Sequence, residues 1–129
     1  MTAEQFAVRA VGLPWRRWAS SWQACDCFGL LVLFAREVWG VELGEVPHTD
    51  IATGFAAAHG WEQCEPHPGA TAWMAFRNGA PTHCGVLLAG GMLLHAEGSE
   101  ERGGSVRITR LGVMQRAYGD IRFFRRAAC

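Results

Sequence analysis

The sequence predicts an α+β domain in which N-terminal helices pack on an antiparallel sheet of five to six strands. Helix signals, meaning capping residues followed by apolar runs, precede Thr71, and short strand-like segments separated by turn dipeptides follow it. The chain has 129 residues, of which 50% are hydrophobic, so it is long enough to bury a core. We therefore expect a single domain over residues 1–129.

Composition narrows the classes of function. The chain has 12 basic and 12 acidic residues, and its formal net charge of zero argues against a nucleic-acid partner. No stretch reaches membrane-spanning length, and residues 1–5 lack the basic start of a secretory signal. Five cysteines cannot all pair within one chain. We expect synthesis in the cytoplasm with reduced thiols and no contact with a membrane.

The first helix is predicted over residues 3–11. Thr2 and Gln5, three positions apart, form the pattern of a capping box. The following segment, residues 13–25, is predicted as a loop in which three indoles either lock the loop to the core or line a cleft. These indoles belong to Trp15, Trp18 and Trp22.

The central helix is predicted to begin at Cys27. Asp26 can cap it, the apolar run continues to Ala35, and Gly40 can end it. Because the run is apolar on nearly every side, the helix should be buried. Unpaired N–H groups and the helix dipole at its start favour a thiolate, the nucleophilic form of cysteine. In the alternative interpretation, Cys27 is a small buried apolar residue, as most free cysteines are.

The second half of the chain is predicted to form the sheet. A connector over residues 41–48, a short helix over residues 49–58 and a loop over residues 63–69 come first. Alternating and β-branched segments bounded by turn residues then predict five strands. These are residues 71–77, 83–88, 92–96, 105–110 and 119–125.

One hairpin decides whether two histidines share a face of the sheet. A two-residue turn would place His83 and His95 on opposite faces, because side chains alternate along a strand. A three-residue loop, Ala89–Gly91, pairs Leu88 with Met92 instead and brings both histidines to the same face. We predict the three-residue loop.

Three short motifs occur in order: Asp26-Cys27-Phe28-Gly29-Leu30, His83-Cys84-Gly85 and His95-Ala96. In type and spacing they resemble the NlpC/p60 family of cell-wall cysteine peptidases. Its pattern is D-C-x-G-[LF] opening a helix, H-[VS]-G near a strand start, and H-A about twelve residues later. The resemblance covers roughly residues 3–126. It implies a papain-like fold in which the cysteine helix packs across the sheet that carries the histidines.

The resemblance also implies a role for each motif residue. Cys27 is the nucleophile, His83 takes its proton and later returns it to the leaving amine, and His95 orients the imidazole. Glu97 is a lesser candidate for the orienting role. The backbone N–H of Cys27 is the natural donor to the oxyanion. We expect Gly85 to leave space for the cysteine helix to approach.

The substrate and oxyanion region is predicted at Trp15, Asp26 and Phe28. The family places a tyrosine in a G-x-P-Y segment twelve residues before the cysteine, and Trp15 stands at that position. An indole lacks the hydroxyl, and its N–H donates from a different place. Phe28 replaces a common serine, which narrows the cleft or shields the thiol. The remaining cysteines are predicted to be structural or incidental: Cys25, Cys64, Cys84 and Cys129.

The function implied by the resemblance is a cysteine endopeptidase that needs no cofactor and cleaves peptidoglycan stem peptides. The bond is typically the one between γ-D-glutamate and a diamino acid. The finer pattern in residues 25–30 and 36–43 resembles the phage and prophage branch. We therefore expect a location in a virion tail, tail proteins as partners, and delivery of the peptidase from outside the host.

Several alternatives stay open at this stage. A tail-tip assembly module with little or no hydrolysis is favoured by Trp15 and Phe28, and an amidase or acyl transferase would use the same thiol. The histidines could instead be a hydrogen-bonded core pair. A zinc site would draw on cysteines and histidines whose spacing does not fit the usual pattern. Those residues are Cys25, Cys27, His83, Cys84 and His95.

Overall fold

The computed structural model describes residues 1–43 and 61–126. Its helices are α1 (Ala3–Ala10), α2 (Cys27–Phe34), continued by a π-helical turn (Ala35–Trp39), and α3 (Leu111–Tyr118). Its strands are β1 (Ser20–Ser21), β2 (Ala24–Cys25), β3 (Trp61–Gln63), β4 (Ala72–Arg77), β5 (Ala80–Leu88), β6 (Met92–Ser99), β7 (Gly103–Arg110) and β8 (Asp120–Arg126). A 3-10 turn, Ala89–Gly91, joins β5 to β6.

Three of the sequence-based predictions lie outside the described residues. They are the helix over residues 49–58, most of the connector before it, and the terminal Cys129. Among the helices of residues 1–43 and 61–126, none combines the length and the apolar character required to cross a membrane.

The first helix begins as predicted. The Thr2 hydroxyl accepts a hydrogen bond from the Gln5 backbone N–H at 3.1 Å, and the Gln5 side chain accepts one from the Thr2 N–H at 2.9 Å. This confirms the capping box, which satisfies two N–H groups that the helix itself cannot pair. The buried side of α1, which includes Phe6 and Ala10, packs into the core.

The central helix is buried, as its composition predicts. Asp26 caps α2 through its Oδ1, which accepts a hydrogen bond from the Gly29 N–H at 2.7 Å. Residues 29–35 are buried without interruption, and the chain leaves the π-helical turn at Gly40, which has φ 67°. Glycine is required at position 29, because a β-carbon there would collide with the carbonyl oxygen of Ala19.

The main sheet has six strands in the order β3-β8-β4-β5-β6-β7, and every neighbouring pair is antiparallel. Strands β4 to β8 correspond to the five predicted strands. The sixth, β3, pairs with β8 at one edge, and its last residue, Gln63, lies where a loop was predicted. A small hairpin of β1 and β2 occupies part of the predicted tryptophan loop. The α+β fold with a five- to six-stranded sheet is confirmed.

The hairpin between β5 and β6 has the predicted register. Leu88 pairs with Met92, and the turn contains two glycines with positive φ, Gly90 at 72° and Gly91 at 70°. His83 and His95 therefore lie on the same face of the sheet. Their rings confirm this, since the centroids are 5.2 Å apart.

The cysteine helix, however, packs on the other face. The α2 side chains belong to a cluster that includes Val86 and Leu94, whereas Leu87 and Leu93, on the histidine face, pack with α3. The space above Gly85 is filled by the Leu94 carbonyl and the Trp73 indole, which a β-carbon at this position would meet, and not by α2. The expectation that Gly85 makes room for the cysteine helix is therefore wrong.

Candidate active site

A cavity of about 430 Å³ opens where β5 and β6 separate. The pairing of these two strands begins with Leu88 and Met92, next to the turn, and ends with Val86 and Leu94. The cavity lies beyond the pair Val86 and Leu94. The start of α2, the tryptophan loop, both strands and the end of α3 contribute to its wall. The wall residues that matter for chemistry are Trp15, Trp18, Cys27, His83, Glu97 and Tyr118.

The structure gives Cys27 the environment of a reactive thiol. A hydrogen bond with the Cys84 thiol makes the largest contribution to holding the Cys27 pKa well below the usual range. A hydrogen bond with His83, the charge of His83 and a hydrogen bond from the Phe28 backbone N–H lower the pKa further. Burial opposes this effect. Because the thiolate is the attacking form, the arrangement favours nucleophilic chemistry at neutral pH. This half-buried thiol and His83 lie on the wall of the same cavity, although α2 packs on the face of the sheet opposite the two histidines.

Cys84 is a partner of Cys27 that the sequence interpretation missed. It points away from His83 along β5, as alternation requires, and this direction leads it to the face covered by α2. There its fully buried thiol contacts Cys27, and the interaction together with burial raises the pKa of Cys84 well above its usual range. Cys84 therefore keeps its proton and can donate it to the Cys27 thiolate.

A relay of hydrogen bonds extends from His83 away from the thiol. Nε2 of His83 lies 3.1 Å from Nδ1 of His95, and Nε2 of His95 lies 2.9 Å from the Thr109 hydroxyl. Burial and the neighbouring His83 lower the pKa of His95 to about 4, so His95 is neutral near pH 7. A neutral His95 can accept at Nδ1 and donate at Nε2. This tautomer leaves His83 with Nδ1 for the Cys27 thiol.

Asp26 shapes the cavity through the backbone. Its Oδ2 accepts a hydrogen bond from the Trp18 N–H at 2.6 Å, while its Oδ1 caps α2. Burial raises the Asp26 pKa, although these N–H donors oppose the effect. Trp18 has φ 64°, which is rare for a residue with a large side chain. Asp26 thus links the start of α2 to the turn that presents Trp18 at the cavity.

The three tryptophans of the loop divide between the two roles considered. Trp15 and Trp18 line the cavity. Trp22 packs into the core against Phe6, with ring centroids 5.0 Å apart, and its indole N–H donates to Glu37 at 3.1 Å. The loop is therefore anchored by one indole and open to the cavity at the other two.

The two remaining predicted residues of this region are separated by the structure. The Trp15 backbone N–H donates to Gly104 at 2.9 Å, and its side chain packs so tightly on Gly98 that a β-carbon on this glycine would crowd the indole. Phe28 does not reach the cavity wall. Its side chain packs in the core near Met74, and its backbone N–H points at the Cys27 sulfur.

Tyr118 is the wall residue that sequence reasoning overlooked. It is the last residue of α3, a helix absent from the predicted elements. Its ring lies on His83 with centroids 4.4 Å apart and planes at 32°, and its hydroxyl donates to Glu97. Glu97 also pairs with Arg107 at 3.2 Å, and the hydrogen-bond partner of the His83 imidazole is His95 instead. The apolar spacing of Leu111, Met114 and Tyr118 is the sequence signal that identifies α3.

Within the described residues, no group of three or more histidine, cysteine or acidic side chains is arranged to hold a metal ion. Cys25, from the zinc alternative, is fully buried in β2. Burial and the nearby Asp26 raise the pKa of Cys25 to about 12.

Helices on an antiparallel sheet, with a thiol at the first residue of the central helix, define a papain-like α+β fold. A solved structure with the same fold is the NlpC/p60 domain of the peptidoglycan hydrolase SagA. The two superpose with a TM-score of 0.62, covering 95% of this chain and 93% of that chain, at 18% sequence identity. The fold implied by the motifs is therefore confirmed. No protein-family profile and no curated protein matches the sequence.

Proposed function

We propose that this protein is a cysteine peptidase that hydrolyses peptidoglycan stem peptides. The observation that carries the proposal is the low-pKa Cys27 thiol beside His83, whose Nε2 is engaged by a neutral His95 at 3.1 Å. A nucleophile and a base on the wall of one open cavity, with a buried orienting group behind the base, meet the requirements of covalent hydrolysis.

The reaction uses these groups in two steps. The Cys27 sulfur attacks the carbonyl carbon of the scissile amide, and His83 gives a proton to the departing amine as the C–N bond breaks. Water then attacks the resulting thioester, passes a proton to His83, and releases the acid and the thiol. The Cys27 backbone N–H, which has no carbonyl partner within the helix, is placed to stabilise the oxyanion of both tetrahedral intermediates.

The choice of substrate rests on the motif resemblance and on the cavity. The structural neighbour SagA is described as a peptidoglycan hydrolase. The cavity wall of this chain carries an arginine, Arg17, and a carboxylate, Glu97, beside two indoles. That mixture suits a short peptide with ammonium and carboxylate groups. Within this class we propose the bond between γ-D-glutamate and a diamino acid, and action as part of a phage or prophage tail.

Defined stem peptides provide the test. Purified protein is incubated with a γ-D-glutamyl–diamino acid peptide and with its α-linked isomer, and the products are read by mass spectrometry. We expect cleavage of the γ-linked peptide alone, and none with Cys27→Ser. Cleavage of both isomers would reject the γ specificity, and equal product from wild type and Cys27→Ser would reject the thiol mechanism.

A second candidate function is a tail-tip assembly module with weak or no hydrolysis. Trp15 favours it, because the family tyrosine hydroxyl is missing from the cavity. The two functions differ in the peptide assay: an assembly module leaves all stem peptides intact while its Cys27 still reacts with alkylating reagents.

A further inference from the structure

Tyr118 is attached at three points around the general base. Its ring lies on the His83 imidazole at 4.4 Å between centroids, and its hydroxyl donates to Glu97. Its backbone carbonyl accepts a hydrogen bond from the Thr82 hydroxyl at 2.8 Å. Thr82 and His83 are neighbours on β5, whereas Glu97 belongs to β6. The side chain therefore bridges the two strands just beyond the end of their pairing.

This bridge occupies the position where the imidazole would otherwise be least constrained. Between β5 and β6 the strand pairing stops at Val86 and Leu94, three residues from His83. Nε2, at one edge of the His83 ring, contacts His95. The Trp73 ring makes a further edge-on contact, with the two ring centroids 5.4 Å apart. Tyr118 covers a face of the ring, so rotation of the imidazole requires the tyrosine to move.

We propose that Tyr118 is a positioning residue: its ring fixes the plane of the His83 imidazole, and its bond to Glu97 fixes the ring. The proposal rests on the proposed function only in taking His83 as the base for Cys27. Tyr118 does not replace the absent family tyrosine as an oxyanion donor, because its single proton is committed to Glu97.

The charged and titratable groups around His83 come from every neighbouring element. They are Arg17 on the tryptophan loop, Cys27 with Asp26 at the start of α2, His95 and Glu97 on β6, Arg107 on β7, which pairs with Glu97, and Tyr118 on α3. Of these, Tyr118 and Glu97 can be changed without removing the nucleophile, the base or the orienting histidine.

Alkylation of Cys27 tests the proposal without any substrate. The rate of reaction with iodoacetamide, mapped to Cys27, is measured from pH 5 to 9 for wild type, Tyr118→Phe, Tyr118→Leu and Glu97→Gln. Arg116→Ala, an exposed change on the same helix, is the matched control. Below the thiol pKa, a shift of one unit changes the thiolate fraction about tenfold.

We expect Tyr118→Leu to slow alkylation at the low-pH end about tenfold and to move the profile to higher pH. Tyr118→Phe, which keeps the ring and removes its hydrogen bond to Glu97, should slow it about threefold. Glu97→Gln, whose amide oxygen can still accept that hydrogen bond, should slow it less than Tyr118→Phe. Arg116→Ala should match wild type. A wild-type profile in Tyr118→Phe would overturn the proposal, even if Tyr118→Leu fails to fold.

The outcome is independent of the proposed hydrolysis. If wild type cleaves no stem peptide while the alkylation profile depends on Tyr118, the hydrolase function fails and the positioning role stands. If cleavage occurs and the Tyr118 variants keep the wild-type profile but show a raised KM, Tyr118 is a substrate contact and the positioning role is rejected.

Discussion

His83 and His95 meet ring nitrogen to ring nitrogen, with Nε2 of the first 3.1 Å from Nδ1 of the second. An aspartate in place of His95 would bring a negative charge to His83. His95 brings none, since burial and His83 lower its pKa to about 4. In the tautomer that accepts at Nδ1, a neutral His95 can only orient the His83 ring, and the Thr109 hydroxyl fixes His95 in turn, 2.9 Å from its Nε2.

Removal of the orienting group should reduce turnover without ending it. We expect Cys27→Ser and His83→Ala to abolish peptide cleavage, whereas His95→Ala retains roughly 1% to 10% of kcat, because a neutral orienting group assists and does not react. His67→Ala, at an exposed histidine, is the control and should behave as wild type. Equal losses for His95→Ala and His67→Ala would remove His95 from the site.

The low pKa of His95 also has a consequence for stability. The unfolded chain binds a proton at this residue near pH 6.5, but the folded protein does not until about pH 4. Neutral His95 therefore makes its full contribution to the free energy of unfolding above pH 6.5. As the pH falls to 4 this contribution is lost, which lowers the free energy of unfolding by an amount on the order of 3 kcal/mol.

Urea unfolding at pH 7 and pH 4.5 measures this loss. Wild type should lose more unfolding free energy between the two pH values than His95→Asn, which has no titrating ring. His67→Ala, a change at an exposed histidine, is the control and should follow wild type. The same pH dependence in wild type and His95→Asn would show that His95 is not the source.

Cys27 should be the fastest thiol to react with iodoacetamide at pH 6. Its pKa lies well below the usual range, whereas burial raises the pKa of Cys25 to about 12 and also raises that of Cys64. Peptide mapping after limiting reagent measures the order of labelling. Cys129, outside the described residues, is the competitor to monitor, and equal early labelling of Cys25 would contradict the assignment.

Cys84 should control how easily Cys27 ionises. Its thiol is the largest influence that lowers the Cys27 pKa. Cys84→Ala removes the donor and should move the Cys27 alkylation profile to higher pH by about one unit, whereas Cys84→Ser keeps a hydroxyl donor and should stay within a few tenths of a unit. Cys64→Ala is the control. Matching profiles for Cys84→Ala and wild type would mean that the contact does not stabilise the thiolate.

Local signals were sufficient where the physics is local. The capping box of Thr2, the Asp26 cap, and the three-residue turn that aligns His83 with His95 each depend on a few neighbouring residues, and each is present. The position of α2 relative to the sheet depends on distant packing. Alternation along β5 shows which side chains share a face of the sheet, but it does not show on which of the two faces α2 packs.

The site was predicted as far as its motifs extend. Cys27, His83 and His95 lie together as their motifs predicted. Cys84 and Tyr118 were not predicted, because tertiary packing brings them to the site. Cys84 contacts the Cys27 thiol from the face of β5 opposite His83, and no short sequence pattern reveals this contact. Tyr118 depends on α3, whose three apolar positions are few for a helix signal and whose first residue has no side-chain cap.

The final prediction concerns Trp15, which stands where the NlpC/p60 pattern that this sequence resembles has tyrosine. The indole lines the cavity and rests on Gly98, while its backbone is fixed to Gly104 at 2.9 Å. If the indole serves only as a wall, Trp15→Tyr should raise kcat, because it adds a hydroxyl donor for the oxyanion. One preorganised donor contributes on the order of 3 kcal/mol, or about a hundredfold in rate.

Three substitutions at this position separate the roles of the side chain when kcat and melting temperature are measured together. If the indole N–H already donates, Trp15→Tyr should be near neutral and Trp15→Phe should lower kcat. In an assembly module there is no turnover to change, and Trp15→Ala should lower only the melting temperature, since it removes the packing on Gly98. A lower kcat for Trp15→Tyr at an unchanged melting temperature would contradict donor restoration, because the smaller ring adds a hydroxyl without crowding the glycine.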